Sequence, residues 1–257
     1  MLRKLEIGLG LVLAAWLGPS LANTARAAVV NYWIGPNGGL FNAGANWSPT
    51  GVPNAVDAAV WFADNKTNPP MTVNMTGELT LGSITFRSLR GYSILAGART
   101  PPPQIRLQTS GGSARIDALL GAHTISAPLW LASDTVAATP ASPLSLLGPI
   151  GGIGGLTKSG PGTLVLAGPN TYTGGTFANA GTLWVSNAGG LPLHGNLTIQ
   201  AGAQVVLQPG LTGSGVRTTG AVVNEVPEPS TLVLFTCAFL VLSAMHPSVR
   251  RRLLARR

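Results

Sequence analysis

The sequence predicts an all-β fold, a parallel β-solenoid, and three observations carry that expectation. Glycine and proline are abundant, 34 and 20 in 257 residues, while charged residues make up 9% and apolar residues 45%. Such a composition suits short strands joined by tight turns. No window between Ala28 and Val226 holds a sustained helical period; Ser113 to Leu120 comes nearest and is brief. Two strand-like segments, Thr163 to Leu166 and Thr182 to Val185, each follow a glycine, and their equivalent leucines, Leu164 and Leu183, lie nineteen residues apart. A period near this value, with glycines supplying positive φ at the corners, describes a coil in which each rung pairs with the next and alternate side chains stack inward.

The chain opens with Arg3 and Lys4, continues with an apolar run from Ile7 to Leu17 too short to span a bilayer, and reaches Ala25-Arg26-Ala27. A positive start, a short apolar stretch and a small-x-small site form a secretory signal peptide. Cleavage is expected before Ala28, residues 1–27 take no part in the fold, and the secretion machinery is the first partner. The lone cysteine, Cys237, lies near the far end. The exported part therefore has no disulfide, and its stability rests on packing and backbone pairing.

Residues 28–140 are expected to form a Trp-containing β region. Trp33, Trp47 and Trp61 recur every fourteen residues. Strand candidates follow at Ala58 to Phe62, Met71 to Asn74, Leu81 to Phe86 and Tyr92 to Leu95. Pro101-Pro102-Pro103 and Thr139-Pro140-Ala141-Ser142-Pro143 interrupt pairing and read as loops bulging from the coil. The tryptophans read as a cap over the open end of the coil; a sugar-stacking platform is the alternative.

Residues 141–225 hold the repeat, with further short strands expected at Asn196 to Gln200 and Gln204 to Gln208. The stretches Gly155-Leu156-Thr157-Lys158, Gly162-Thr163-Leu164, Asn170-Thr171-Tyr172-Thr173-Gly174-Gly175-Thr176 and Ala180-Gly181-Thr182-Leu183 resemble the autotransporter-associated β-strand repeat. The resemblance implies a right-handed parallel β-helix of the kind found in passenger regions of exported surface proteins. One good copy and a decayed continuation are visible, with no barrel-like segment behind them, so self-translocation is not expected. A Trp-rich opening before this repeat is similar to the front of many such exported proteins.

Residues 226–257 carry Val226-Pro227-Glu228-Pro229-Ser230-Thr231, an apolar run from Leu232 to Met245, then Arg250-Arg251-Arg252 and Arg256-Arg257. This order resembles the PEP-CTERM sorting signal recognised by exosortases. The prolines keep the motif extended. The uncharged run forms a single transmembrane helix of about 22 Å, short of the roughly 30 Å hydrocarbon core. It spans only if the arginines snorkel and stay cytoplasmic. The resemblance implies a transient membrane association, an exosortase-type processing enzyme as partner and a Gram-negative-type source. It also implies an inner-membrane precursor released to the cell envelope or an exopolysaccharide matrix, with exopolysaccharide as a further partner. A permanent single-pass anchor is the alternative.

The formal charge of +8 belongs to the ends: residues 28–229 hold eight Lys/Arg against seven Asp/Glu, or +1. A nucleic-acid partner loses its electrostatic footing. Gly152 to Ser159 nearly spells a phosphate loop, but Thr157 stands where glycine must precede the lysine, and Gly160-Pro161-Gly162 prevents the helix that should follow. His123, His194 and His246 are isolated and read as surface or turn residues; no metal or cofactor spacing appears. Between Ala28 and Asn224 the acids stand at 57, 64, 78, 117 and 134, with none in the repeat. Asp57 and Asp64 are closest in sequence and read as loop solvation rather than a pair flanking a glycosidic bond. The expected function is therefore a non-enzymatic exported surface or matrix protein. The alternatives are a carbohydrate-binding or carbohydrate-cleaving β-helix and a permanently anchored adhesin.

Overall fold

The structure, a computed structural model, describes residues 29–64, 70–193, 195–208, 217–220 and 223–225. The signal-cleavage residues Ala25, Ala27 and Ala28, the motif Val226 to Thr231, the apolar run and the terminal arginines lie outside these residues. Strands follow in the order β1 (Val30–Trp33), β2 (Gly39–Leu40), β3 (Trp47–Ser48), β4 (Ala59–Ala63), β5 (Met71–Met75), β6 (Leu79–Leu81), β7 (Ser83–Arg87) and β8 (Tyr92–Ala96). Next come β9 (Ile105–Leu107), β10 (Ala114–Leu120), β11 (His123–Ile125), β12 (Leu129–Leu131), β13 (Thr135–Ala138), β14 (Leu144–Leu146), β15 (Ile150–Gly152) and β16 (Leu156–Ser159). The rest are β17 (Thr163–Leu166), β18 (Thr176–Ala178), β19 (Gly181–Val185), β20 (Asn196–Ile199), β21 (Ala203–Leu207), β22 (Arg217–Gly220) and β23 (Val223–Glu225).

These strands wind into a solenoid with three faces. The first is a ten-stranded sheet in the order β22-β20-β18-β16-β13-β10-β7-β4-β1-β3. The second has nine strands, β2-β5-β8-β11-β14-β17-β19-β21-β23, and the third four, β6-β9-β12-β15. All pairings are parallel except β1 with β3. In register on the first face, Val30 meets Ala59, Ala59 meets Ser83, and Ser83 meets Arg115. From there the ladder runs Ala114 to Thr135, Thr135 to Leu156, Leu156 to Thr176 and Thr176 to Leu197. The anticipated repeat strands are present, and Leu164 pairs with Leu183 in the second face, both buried.

Two expectations change. Leu81 to Phe86 is not one strand: β6 ends at Leu81 in the third face and β7 starts at Ser83 in the first. Gly82 makes the corner, where a Cβ would stand 2.6 Å from the Cα of Asp57. Ser113 to Leu120, the most helix-like stretch, is strand β10, because the alternation of Ala114, Ile116 and Ala118 inward fits the core.

The core changes character along the axis. At the upstream end Trp33, Phe41, Trp47, Phe62, Phe86 and Tyr92 are all buried. They touch in sequence, from Trp33 to Trp47 at 5.1 Å, through Phe41 and Phe62, to Phe86 stacked on Phe62 at 5.2 Å. Strand β3 turns back along β1 and covers the first strand edge, and Trp47 donates to the carbonyl of Phe41 at 2.7 Å. Asparagines satisfy the other starting edges: Asn37 accepts from the Thr72 amide, Asn42 from Thr76 and Gly77, and Asn54 from Thr80. An unpaired edge would otherwise template further strands. Trp33 and Trp47 thus form the expected cap. Trp61 does not; it sits on the outer face of β4, since Val60 and Phe62 point inward.

Downstream the core is mainly aliphatic, built from Leu144, Leu146, Leu156, Leu164, Leu166, Leu183, Leu197 and Val205, with Tyr172 the buried aromatic among them, its hydroxyl bonded to that of Thr176 at 2.6 Å. After β15 the third face stops being a strand, and Asn170 continues it. Its side chain accepts from the Ile150 amide at 2.9 Å and donates to the Gly190 carbonyl at 2.7 Å, linking three rungs.

Candidate interaction surface

Two ionisable side chains inside the coil are engaged with the backbone. His123, expected at the surface, is buried. Its ring stacks on Phe86 with centroids 4.4 Å apart. Nδ1 accepts from the Tyr92 amide at 3.0 Å, and Nε2 donates to the Leu120 carbonyl. Burial lowers its pKa below the ordinary 6.5. Lys158 is also fully buried. Its ammonium donates to the carbonyls of Ser159, Gly160 and Ala180 at 3.0, 2.6 and 2.9 Å, binding one corner to the next. Burial lowers its pKa to about 8, so it remains charged at neutral pH. The near phosphate loop of the sequence is therefore a β-strand whose lysine points into the coil. Asp57 and Asp64 are not brought together. Asp57 accepts from the Ser110 amide and hydroxyl, which hold its carboxyl below the usual range, and Asp64 accepts from the Ser88 hydroxyl. Among the described residues no group of three His, Cys, Asp or Glu side chains is placed to hold a metal.

The outward positions of the three faces are what remains for recognition. On the first face Tyr32 lies edge-on to Trp61 at 5.5 Å, and the Arg87 guanidinium sits 4.7 Å from the Trp61 ring. Further along, Arg115 and Asp117 form an exposed ion pair at 2.8 Å. On the second face one register column reads Thr72, Ser93, Thr124, Ser145, Val165, Trp184 and Val206. The column beside it reads Thr163, Thr182 and Gln204. None of these carries a charge, and Trp184 is 43% exposed. On the third face the column reads Thr80, Arg106, Trp130 and Gly151.

Trp130 and Trp184 were not among the tryptophans singled out by spacing. The signal for both was local: each sits between two apolar residues, in Leu129-Trp130-Leu131 and Leu183-Trp184-Val185, so a period-two strand must turn it outward.

Comparison with known proteins agrees with this geometry. Residues 156–185, which contain β16 to β19, match the family model of the passenger-associated-transport-repeat. The chain is 43% identical over 220 residues, 78% of its length, to the adhesin BmaC autotransporter of Brucella suis biovar 1 (strain 1330). It spans 5% of that protein. No solved structure matches. The chain thus carries a passenger-associated-transport-repeat within an all-β solenoid similar in sequence to part of an autotransporter adhesin.

Proposed function

We propose that this chain is an exported, non-enzymatic surface protein whose solenoid is displayed for adhesion. The observation that carries the reading is the match at residues 156–185, which falls on the most regular turns of the coil. A second support is the similarity to an adhesin along most of the chain. The outer faces present hydroxyls, a few aromatics and scattered arginines, while the two acids closest in sequence accept from serine hydroxyls. That arrangement suits contact over a long flat surface rather than bond cleavage.

Delivery belongs to the two ends. The signal peptide through Ala27 directs export. Val226-Pro227-Glu228-Pro229-Ser230-Thr231 would present an extended motif to an exosortase-type enzyme, while Arg250, Arg251, Arg252, Arg256 and Arg257 stop translocation. After processing, the body enters the cell envelope or an exopolysaccharide matrix. The test is a full-length chain with one tag after Glu225 and another after Arg257, expressed in a host that carries an exosortase. The expected result is a mature species that keeps the first tag, loses the second and is shaved by protease on intact cells. Protection of the first tag would defeat surface display. Both tags on one stable species would show a permanent anchor instead of a sorting signal.

A further inference from the structure

We propose that the third face carries a binding shelf for acidic sugar residues, built from Trp130, Gly151 and Arg106. The proposal rests on the adhesive reading and names the chemistry of the partner. Trp130 stands on the outer side of β12 and is 37% exposed. Its six-membered ring leans over Gly151 of the next strand. A Cβ on Gly151 would come within 3.1 Å of Cε3 and 3.2 Å of Cζ3, and within 3.5 Å of the Thr171 hydroxyl. Glycine at that position lets the indole pack against the rung while part of the residue stays open to solvent, with Thr171 beside Gly151.

Arg106 is the register partner of Trp130 on the other side. Rungs are spaced by about 4.8 Å, comparable to the width of one sugar ring. The Nε of Arg106, an exposed residue, donates to the Oε1 of Gln108 at 2.8 Å, which restrains the plane of the guanidinium. No ion pair joins Arg106 to a carboxylate among the described residues. Glu78 is the acid on this face, two residues before Thr80 on the outermost strand β6.

The juxtaposition matches a pyranose that bears a carboxylate. The carbon face of the ring stacks on the indole, which supplies apolar area at little entropic cost. The carboxylate reaches the guanidinium in a charge-assisted, two-point hydrogen bond. Ring hydroxyls meet Gln108 and Thr171. The neutral columns of the second face lack a cation and would not make this selection. The occupant is therefore a uronate-bearing polysaccharide, laid so that one residue occupies one rung.

The probes are polygalacturonate, alginate and hyaluronan oligosaccharides, with dextran and laminarin as neutral controls. Binding to the full-length protein in detergent is measured by biolayer interferometry across a salt series. The wild type should bind at least one acidic probe, more weakly as salt rises, and neither neutral one. Trp130→Ala should weaken that binding about tenfold, with Trp130→Tyr restoring part of it. Arg106→Gln should remove both the salt dependence and the preference over neutral glycans. Arg106 is exposed, so Arg106→Gln should melt at the wild-type value, while Trp130→Ala, which loses the packing on Gly151, should melt slightly lower and remain folded at the assay temperature. No binding to any acidic probe, equal binding of the neutral ones, or a Trp130→Ala effect confined to self-association would each overturn the shelf. Any of these results alongside intact surface display and adherence would leave the adhesive reading standing. Loss of display would defeat that reading while purified protein still reports on the shelf.

Discussion

Turns before Ala114 take 29, 24 and 32 residues on the ten-stranded face, measured from Val30 to Ala59, Ala59 to Ser83 and Ser83 to Arg115. Those after it take 21, 21, 20 and 21, from Ala114 through Thr135, Leu156 and Thr176 to Leu197. The two regions also differ inside. Six aromatic side chains in contact fill much of the upstream rungs; the downstream rungs are filled mainly by aliphatic side chains, with Tyr172 a single buried ring. The difference follows from position. A coil must end somewhere, and its end needs large side chains and asparagine ties to close what the next rung would have covered. Once closed, each rung needs only to repeat the one before it. Corners can then tighten onto glycine, and a single lysine or asparagine can serve as the tie between rungs.

The sharpest way to break that comparison is to remove the plug. Trp47→Ala should cost about 3–5 kcal/mol, because Trp47 is buried, touches three other aromatic rings and donates to Phe41. Hydrogen exchange should show the loss concentrated in β1 to β5, with amides of β16 to β19 still protected. Uniform loss across the coil would mean that the two regions fold as one unit.

At the downstream corners, Gly181→Val should cost about 3 kcal/mol through left-handed strain alone, with steric conflict added. The residue has φ 67°, and a Cβ would lie 2.5 Å from the carbonyl oxygens of Gly160 and Gly162. Gly38→Ala is the upstream control. It shares the positive φ of 76° but has open space around it, so the cost should be nearer 1 kcal/mol. Chemical denaturation of both variants checks the ranking; equal losses would mean that crowding at the Gly181 corner adds nothing to its backbone strain.

The tie between downstream corners should contribute less than Trp47 or the Gly181 corner. Lys158→Met should cost about 2 kcal/mol, because it leaves the Gly160 and Ala180 carbonyls without the ammonium that bridges them. A variant as stable as the wild type would show those carbonyls reaching water. The smallest effect concerns pH upstream. His123 is neutral in the fold, with its pKa lowered by burial. The unfolded chain therefore binds more protons as pH falls below the ordinary value of 6.5, and stability should be flat above that and decline below it. His123→Gln should flatten this part of the profile. An unchanged acid slope in that variant would place the titration elsewhere.

The sequence made the regular region legible because constant turn length turns stacking into spacing. Leu164 and Leu183 are nineteen residues apart and sit directly on one another. Upstream, loops of different length hide the same register, so Gly82 was read as part of one strand when it is the corner between two faces. His123 reads as a surface or turn residue in the sequence because its partners are backbone groups of Tyr92 and Leu120, which no side-chain motif announces. Even spacing of Trp33, Trp47 and Trp61 suggested one role for all three. Strand alternation separates them, turning Trp61 outward beneath Arg87 while the other two fill the cap. Trp130 and Arg106 each follow the same alternation, but their proximity depends on the 24-residue step from β9 to β12, which the sequence alone did not reveal.

Adherence is the most direct test of the central claim that this solenoid acts by surface contact. A strain lacking the gene, the same strain restored with the full-length chain, and one restored with a chain deleted for residues 156–185 would be compared for attachment to coated surfaces and to cells. Attachment should fall in the first and third strains and recover in the second, with surface labelling confirming display of the restored protein. Attachment unchanged by deletion, with the protein displayed on the wild-type surface, would contradict that claim.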